Sequence, residues 1–207
     1  MWMINFFITT ALGKYKKNSE NAFAISLKSR DLYFKIADEE GIEFDLMKKG
    51  IIHFYNSKSE FEIAASKKDW IEAMGCEWEI VDRDQIFEIE PALKNNNKII
   101  GGVYTKSDAT GDIHKYCFEL AKVLEKKYGV DFKFSETLKD IKKSSRPILQ
   151  TNKNEYEFDD IILCTGVETE RFRRKFGDCF RIYPVKGYSV TVDLVDDKSR
   201  ESAPFVS

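Results

Sequence analysis

The chain has 207 residues, 43% of them hydrophobic and 33% charged, an ordinary make-up for a soluble globular protein with one sizeable core or two small ones. Its 33 Lys+Arg against 35 Asp+Glu leave a net charge of −2, without the basic face that nucleic acid requires. The four cysteines, Cys76, Cys117, Cys164 and Cys179, show no C-x-x-C spacing and stand apart from His53 and His114; this argues against a metal centre or a disulfide framework and suits a reducing cytoplasm.

The start, from Met1 to Ile8, is apolar but far shorter than the about 20 residues of a spanning helix, and it lacks the basic region of a signal peptide. Packing against a partner segment is the reading favoured for it, with a peripheral membrane contact through Trp2, Phe6 and Phe7 as the other. Phe23, Leu27, Leu32, Phe34 and Ile36 recur near helical spacing, which predicts a helix over Ser19 to Glu40 that stops at Gly41. Strands are predicted at Ile42 to Leu46 and Gly50 to Tyr55. Ser59 with Glu62 three residues later reads as a capping box, opening a helix that runs to about Met74. A short strand follows at Trp78 to Val81. Asp82 caps a helix through Glu88, which Pro91 closes.

Ile99 to Tyr104 reads as a strand. After the turn-rich loop Ser107 to Asp112, Asp112 caps a helix over Ile113 to Tyr128, with Gly129 as its C-cap. Strands are predicted at Val130 to Phe134, where Val and Phe alternate with charges, and at Thr137 to Ile141. Pro147 to Thr151 and Glu155 to Phe158 form a hairpin across Asn152-Lys153-Asn154. The unbroken apolar run Ile161-Ile162-Leu163-Cys164 predicts a strand buried on both faces, with Cys164 as a small core residue. It ends at Thr165-Gly166, and ligands in open α/β sheets sit at such carboxyl ends. A short basic helix over Glu168 to Phe176 and a strand over Ser189 to Leu194 complete the reading.

Several stretches then match one family in the same order. They are Trp2-Met3, Gly50-Ile51-Ile52, Asp82-Arg83-Asp84 with Glu90-Pro91-Ala92-Leu93, Gly101-Gly102-Val103, Thr110-Gly111-Asp112, Gly129-Val130-Asp131-Phe132, Leu163-Cys164-Thr165-Gly166 and Tyr183-Pro184-Val185-Lys186-Gly187-Tyr188-Ser189. Over nearly its whole length the sequence resembles the FAD-dependent D-amino-acid dehydrogenases of bacteria, within the wider D-amino-acid oxidase, glycine oxidase and sarcosine oxidase family. The Tyr-Pro-x-Lys-Gly-Tyr-Ser stretch tilts it towards the dehydrogenases.

The resemblance implies a mixed α/β (α+β) fold, in which a partial, doubly wound FAD-binding domain is interleaved with an antiparallel-sheet substrate domain. The division it suggests is 1–42 (helical part of the FAD domain), 43–108 (first part of the substrate domain), 109–183 (second part of the FAD domain) and 184–207 (start of a second substrate-domain part). It implies oxidation of a D-amino acid to the imino acid, then to the 2-oxo acid and ammonia, with electrons passing to a respiratory acceptor such as a quinone. It implies cofactor contacts at Leu138, through main-chain pairing with the adenine edge, and at Thr165 and Gly166 along the flavin; a plain core role for Leu138 is compatible with the same match. Lys186 and Gly187 take a structural role. Arg171, Arg173, Arg174 and Arg181 read as a solvated face, and no catalytic residue is singled out.

The family's G-x-G-x-x-G, whose backbone holds the pyrophosphate, has no counterpart here, because Gly101-Gly102 lies inside a strand at the wrong spacing. The sequence therefore reads as the middle portion of a longer enzyme, inactive alone. A complementary chain with the missing half, a glycine or sarcosine oxidase activity and a non-catalytic binding remnant are the other readings. Exposed apolar surface at Trp2, Phe6, Phe7 and the Ile161 edge is predicted to make the isolated chain poorly soluble.

Overall fold

The computed structural model describes residues 2–177, 182, 184–188, 193 and 195. Cys179, Arg181, Tyr183 and, apart from Asp193, the strand predicted over Ser189 to Leu194 lie outside the described residues. The chain divides into two compact units, one of residues 1–12 with 130–190 and the other of residues 13–129 with 191–207.

Helix α1, Trp2–Ala11, belongs to the first unit. Met3, Ile4, Phe7 and Ile8 on it are exposed.

The second unit opens with helix α2, Lys14–Glu40, which begins a turn earlier than its apolar spacing predicts. Gly41 ends it with φ 65°, a left-handed geometry that glycine adopts without Cβ strain. Strands β1 (Ile51–Tyr55), β2 (Glu79–Asp82) and β3 (Gly101–Thr105) form an antiparallel sheet in the order β1-β3-β2. Between β1 and β2 come α3 (Lys58–Ala65) and α4 (Lys68–Glu72). Then follow α5 (Arg83–Ile89) and a 3-10 turn at Pro91–Asn95. Asp82 accepts the N–H of Gln85 while the Gln85 side chain accepts the N–H of Asp82, so both ends of this capping box are satisfied.

Ile52, Val81, Ile86 and Ile99 pack into one core under Phe87, Leu93 and Tyr104. Each such side chain contributes about 1.5–3 kcal/mol by leaving water. Glycine is required at position 102 in the central strand, because a Cβ there would stand 2.8 Å from the His53 carbonyl oxygen and 3.0 Å from Ile86 Cδ1. Helix α6, Ile113–Tyr128, starts at Asp112, whose carboxylate accepts the Lys115 N–H at 3.0 Å, and ends at Gly129 with φ 67°. Its Tyr116 stacks on Tyr33 of α2 at 3.9 Å and meets Phe44 edge-on, forming a second core with Ala37 and Ile42.

Two predictions in this unit are corrected. Ile42 to Leu46 is not a strand. Asp45 has φ 55°, which breaks an extended run, and the segment is pinned to the 108–112 loop by Asp112 N–H to Phe44 O (2.7 Å) and by mutual Met47–Thr110 bonds. Ser59 is not an N-cap. Helix α3 starts behind Ser57, and the two hydroxyls bond each other at 2.9 Å instead of capping the helix.

In the first unit, β4 (Leu138–Lys142), β5 (Ile148–Thr151) and β6 (Glu155–Glu157) form an antiparallel meander in the order β4-β5-β6. Ile141 is buried on β4, and Phe172 is buried between a 3-10 turn at Gly166–Arg171 and the short helix α7, Arg173–Phe176. The run Val130 to Phe134 makes no strand. Phe132 and Phe134, two residues apart and so on one face, stack at 5.4 Å, and the chain turns at Ser135 with φ 59°.

The buried strand predicted at Ile161–Cys164 is also corrected. The segment forms no strand, Ile162 is 88% exposed and Cys164 is exposed. A strand exists only through ladder bonds to neighbours, and no described strand lies beside this one. Both sheets among the described residues are antiparallel.

Candidate cofactor site

Leu138 opens β4 opposite Thr151, just before a bulge that ends at Asp140. Its side chain is half-buried. One residue earlier, the Thr137 carbonyl accepts the Asn152 N–H at 3.0 Å, and the Thr137 N–H donates to Asn152 Oδ1 at 2.7 Å. Main-chain groups alternate direction along a strand. Thr137 therefore faces β5, and the N–H and C=O of Leu138 face the other edge of β4. The Thr151 N–H agrees, since it turns from β4 to bond the Asn154 carbonyl at 2.8 Å. Among the described residues no strand pairs with that edge. It offers a donor and an acceptor side by side.

The sheet beneath is braced by Glu136, which sequence reading did not single out. Its carboxylate accepts from Thr151 Oγ1 at 2.7 Å and from Tyr156 OH at 2.8 Å. The Thr151 hydroxyl, and then that of Tyr156, hold its carboxyl below the usual range. Nothing in a lone Glu before a strand announces this role, because only the register of β4, β5 and β6 brings Thr151 and Tyr156 to it. Asp140 pairs with Lys175 of α7, whose ammonium holds that carboxyl low as well. The pair ties the 166–176 segment to β4.

Thr165 and Gly166 follow the Ile161–Cys164 segment, in which Ile162 and Cys164 are exposed and Ile161 and Leu163 half-buried, and they are exposed themselves. Thr165 Oγ1 lies 2.9 Å from Thr169 Oγ1. Gly166 has φ 55°, and a Cβ there would meet nothing within 4 Å, so its backbone lies open to an approaching group. Arg171 pairs with Glu168 at 3.1 Å on an exposed face. Lys186 lies over the Tyr188 ring at 5.4 Å. No cluster of metal-ligating side chains occurs among the described residues, and no helix among them is long and apolar enough to cross a membrane.

The folds of solved proteins define the class first. Glycine oxidase from Geobacillus kaustophilus superposes with a TM-score of 0.67 at 21% identity, covering 74% of this chain and 42% of its own. L-proline dehydrogenase from P. horikoshii superposes at 0.62 with 18% identity, covering 72% and 40%. The fold is thus the mixed α/β fold of that class, with an FAD-binding-type domain and an antiparallel-sheet domain.

The sequence then gives the family. Residues 7–206 match the family model described as FAD dependent oxidoreductase. D-amino acid dehydrogenase 3 of Mesorhizobium japonicum is 35% identical over 210 residues, covering 100% of this chain and 50% of the relative. The D-amino acid dehydrogenase of Agrobacterium fabrum is 30% identical over 200 residues, covering 95% and 48%. The chain belongs to the FAD dependent oxidoreductase family, and it spans about half the length of the curated relatives it matches.

Proposed function

We propose that this chain is the central part of an FAD-dependent enzyme that oxidises a D-amino acid. Loss of two electrons and two protons gives the imino acid, and water then converts this to the 2-oxo acid and ammonia. The observation that carries the reading is the match of the whole chain to D-amino acid dehydrogenase 3 at 35% identity.

The residues present fit the cofactor at two points. The outward-facing N–H and C=O of Leu138 suit the donor–acceptor edge of adenine, which a main chain reads whatever its side chain. Gly166, with open space where a Cβ would stand, lets the backbone approach a flat ring system, and the exposed Thr165 hydroxyl can donate to it. When bound, FAD supplies the electron acceptor for amine oxidation. In this proposal Glu136 and the Asp140–Lys175 pair hold β4 and the 166–176 segment in position.

The same proposal has residues 1–42 and 109–183 on the cofactor side, and 43–108 with 184–207 on the substrate side. It has the electrons passing on to a quinone from a cytoplasmic enzyme. The exposed apolar side chains of α1 support a peripheral contact with the inner membrane. The pyrophosphate-binding half comes from sequence outside the part of the relatives that this chain spans, whether on the same polypeptide or on a complementary one.

The test is flavin absorbance and dye reduction with D-alanine, measured on the purified chain and on the chain co-expressed with the flanking segments of D-amino acid dehydrogenase 3. Weak or absent flavin absorbance alone, and D-alanine-dependent dye reduction on co-expression, are expected. Tight stoichiometric flavin on the isolated chain would contradict the placement of the pyrophosphate-binding half outside it. Hydrogen peroxide release on turnover would move the assignment to the oxidases.

A further inference from the structure

We infer, resting on the adenine contact proposed at Leu138, that Asn152 is a positioning residue for base recognition. Its side chain fixes the direction in which the Leu138 main chain faces, and with it the preference for a base that both donates and accepts.

A hydrogen-bonded pair in an antiparallel ladder exchanges two main-chain bonds. Between Thr137 and Asn152 one of them is present, from the Asn152 N–H to the Thr137 carbonyl at 3.0 Å. The second is made by a side chain, because the Thr137 N–H donates to Asn152 Oδ1 at 2.7 Å. β5 ends at Thr151 and the chain turns back over 152–154, so the side-chain amide supplies the acceptor where the strand stops. The turn that carries it is itself held. Thr151 Oγ1 accepts the N–H groups of Lys153 at 3.1 Å and Asn154 at 2.9 Å, while it donates to Glu136 Oε2 at 2.7 Å. Asn154 Nδ2 donates to Tyr156 OH at 3.2 Å. Oδ1 of Asn152 is therefore offered to Thr137 from a braced frame.

The far side of Leu138 does not set its direction. From Asp140 onward β4 pairs with Gln150, Leu149 and Ile148 in turn, but the register shifts between Leu138 and Asp140. Such an irregularity interrupts the ladder, so the alternation of main-chain groups is not carried back across it. Thr137 is the neighbour that remains. Held towards β5 by both of its main-chain groups, it turns the N–H and C=O of Leu138 to the unpaired edge. Adenine presents an amino donor beside a ring-nitrogen acceptor, the complement of that pair. Purine riboside keeps the ring nitrogens and lacks the amino group, so it can satisfy the N–H alone.

Residue-resolved amide exchange and equilibrium dialysis with adenosine and purine riboside, both on the whole chain, test this. The nucleosides are neutral, so a charge change at position 152 does not act on them directly. In the unmodified chain the Thr137 amide is protected, and the Leu138 amide exchanges freely until adenosine is added. Adenosine binds about tenfold more tightly than purine riboside, the order of one hydrogen bond. Asn152→Ala removes this preference and leaves exchange across β5 and β6 unchanged. Asn152→Asp, whose carboxylate accepts the same N–H, keeps it. A preference that survives Asn152→Ala, or that Asn152→Asp loses, overturns the role of Asn152 and leaves the adenine contact standing. A freely exchanging Thr137 amide in the unmodified chain overturns that role as well, and this measurement decides even if Asn152→Ala does not fold. No preference in the unmodified chain, with Thr137 protected, sinks the adenine contact at Leu138 and the inference with it.

Discussion

Gly101–Thr105 and Ile161–Cys164 are both short stretches read as strands from the sequence, and they meet opposite fates. The first lies between β1 and β2, with Val103 wholly buried. The second has no described neighbour, and Ile162 is almost fully in water. Residues that favour the extended state occur in both, Val103, Tyr104 and Thr105 in the first and Ile161 and Ile162 in the second, but a strand needs a partner to bond. In β3 the partners come from within the same 117 residues of chain, 13–129. The family assignment does not depend on the unpaired stretch, since the match runs over residues 7–206.

The contrast can be broken or sharpened by substitution. The largest effect is expected at Ile86, fully buried under the β1-β3-β2 sheet. Ile86→Ala should cost about 2–5 kcal/mol, read from urea unfolding followed by the fluorescence of Trp70 and Trp78. A loss no greater than that of a surface change would mean that this core is not packed as described. Next comes Gly102→Ala, which forces a Cβ against the His53 carbonyl and should cost about 1–3 kcal/mol in the same assay. Asp82→Ala removes one arm of the capping box and should cost about 1 kcal/mol, with faster amide exchange confined to α5.

Acidification follows, acting on both units. Lys127 holds the Glu40 carboxyl low, the Lys115 N–H does so for Asp112, Thr151 for Glu136 and Lys175 for Asp140. A folded pKa below the unfolded one gives stability that is present above the unfolded value, roughly 4, and is lost as pH falls through the folded value. The urea midpoint should therefore hold from pH 7 to about 5 and fall below about 4. A midpoint that rises on acidification would contradict the sign. The smallest effect is expected at Ile162→Ala, within about 0.5 kcal/mol in the isolated chain, because an exposed side chain loses no packing. A loss of the size predicted for Ile86 would mean that the two stretches are alike after all.

Much of the fold was legible in the residues. Asp82, Asp112, Gly41 and Gly129 mark helix ends through bonds and dihedrals that depend on a few adjacent residues, and all four do so in the structure. The hairpin across Asn152-Lys153-Asn154 is local in the same way. The strands predicted at Val130 and Ile161 failed because each needed a ladder partner that the described sheets do not supply, and the one at Ile42 because the positive φ of Asp45 breaks the extended run. At the candidate site, Leu138, Thr165 and Gly166 were reached only through resemblance to a family. The direction of the Leu138 main chain came from the register at Thr137 and Asn152, and Glu136 from the hydroxyls that converge on it.

By itself, the sequence determined the helix ends at Gly41, Asp82, Asp112 and Gly129, the hairpin and the family, because caps, turns and ordered motifs are written in neighbouring residues. Tertiary structure alone decided which runs became strands and which edge of β4 is unpaired among the described residues. Those outcomes depend on hydrogen-bond partners far away in the chain, and no local stretch carries the address of its partner.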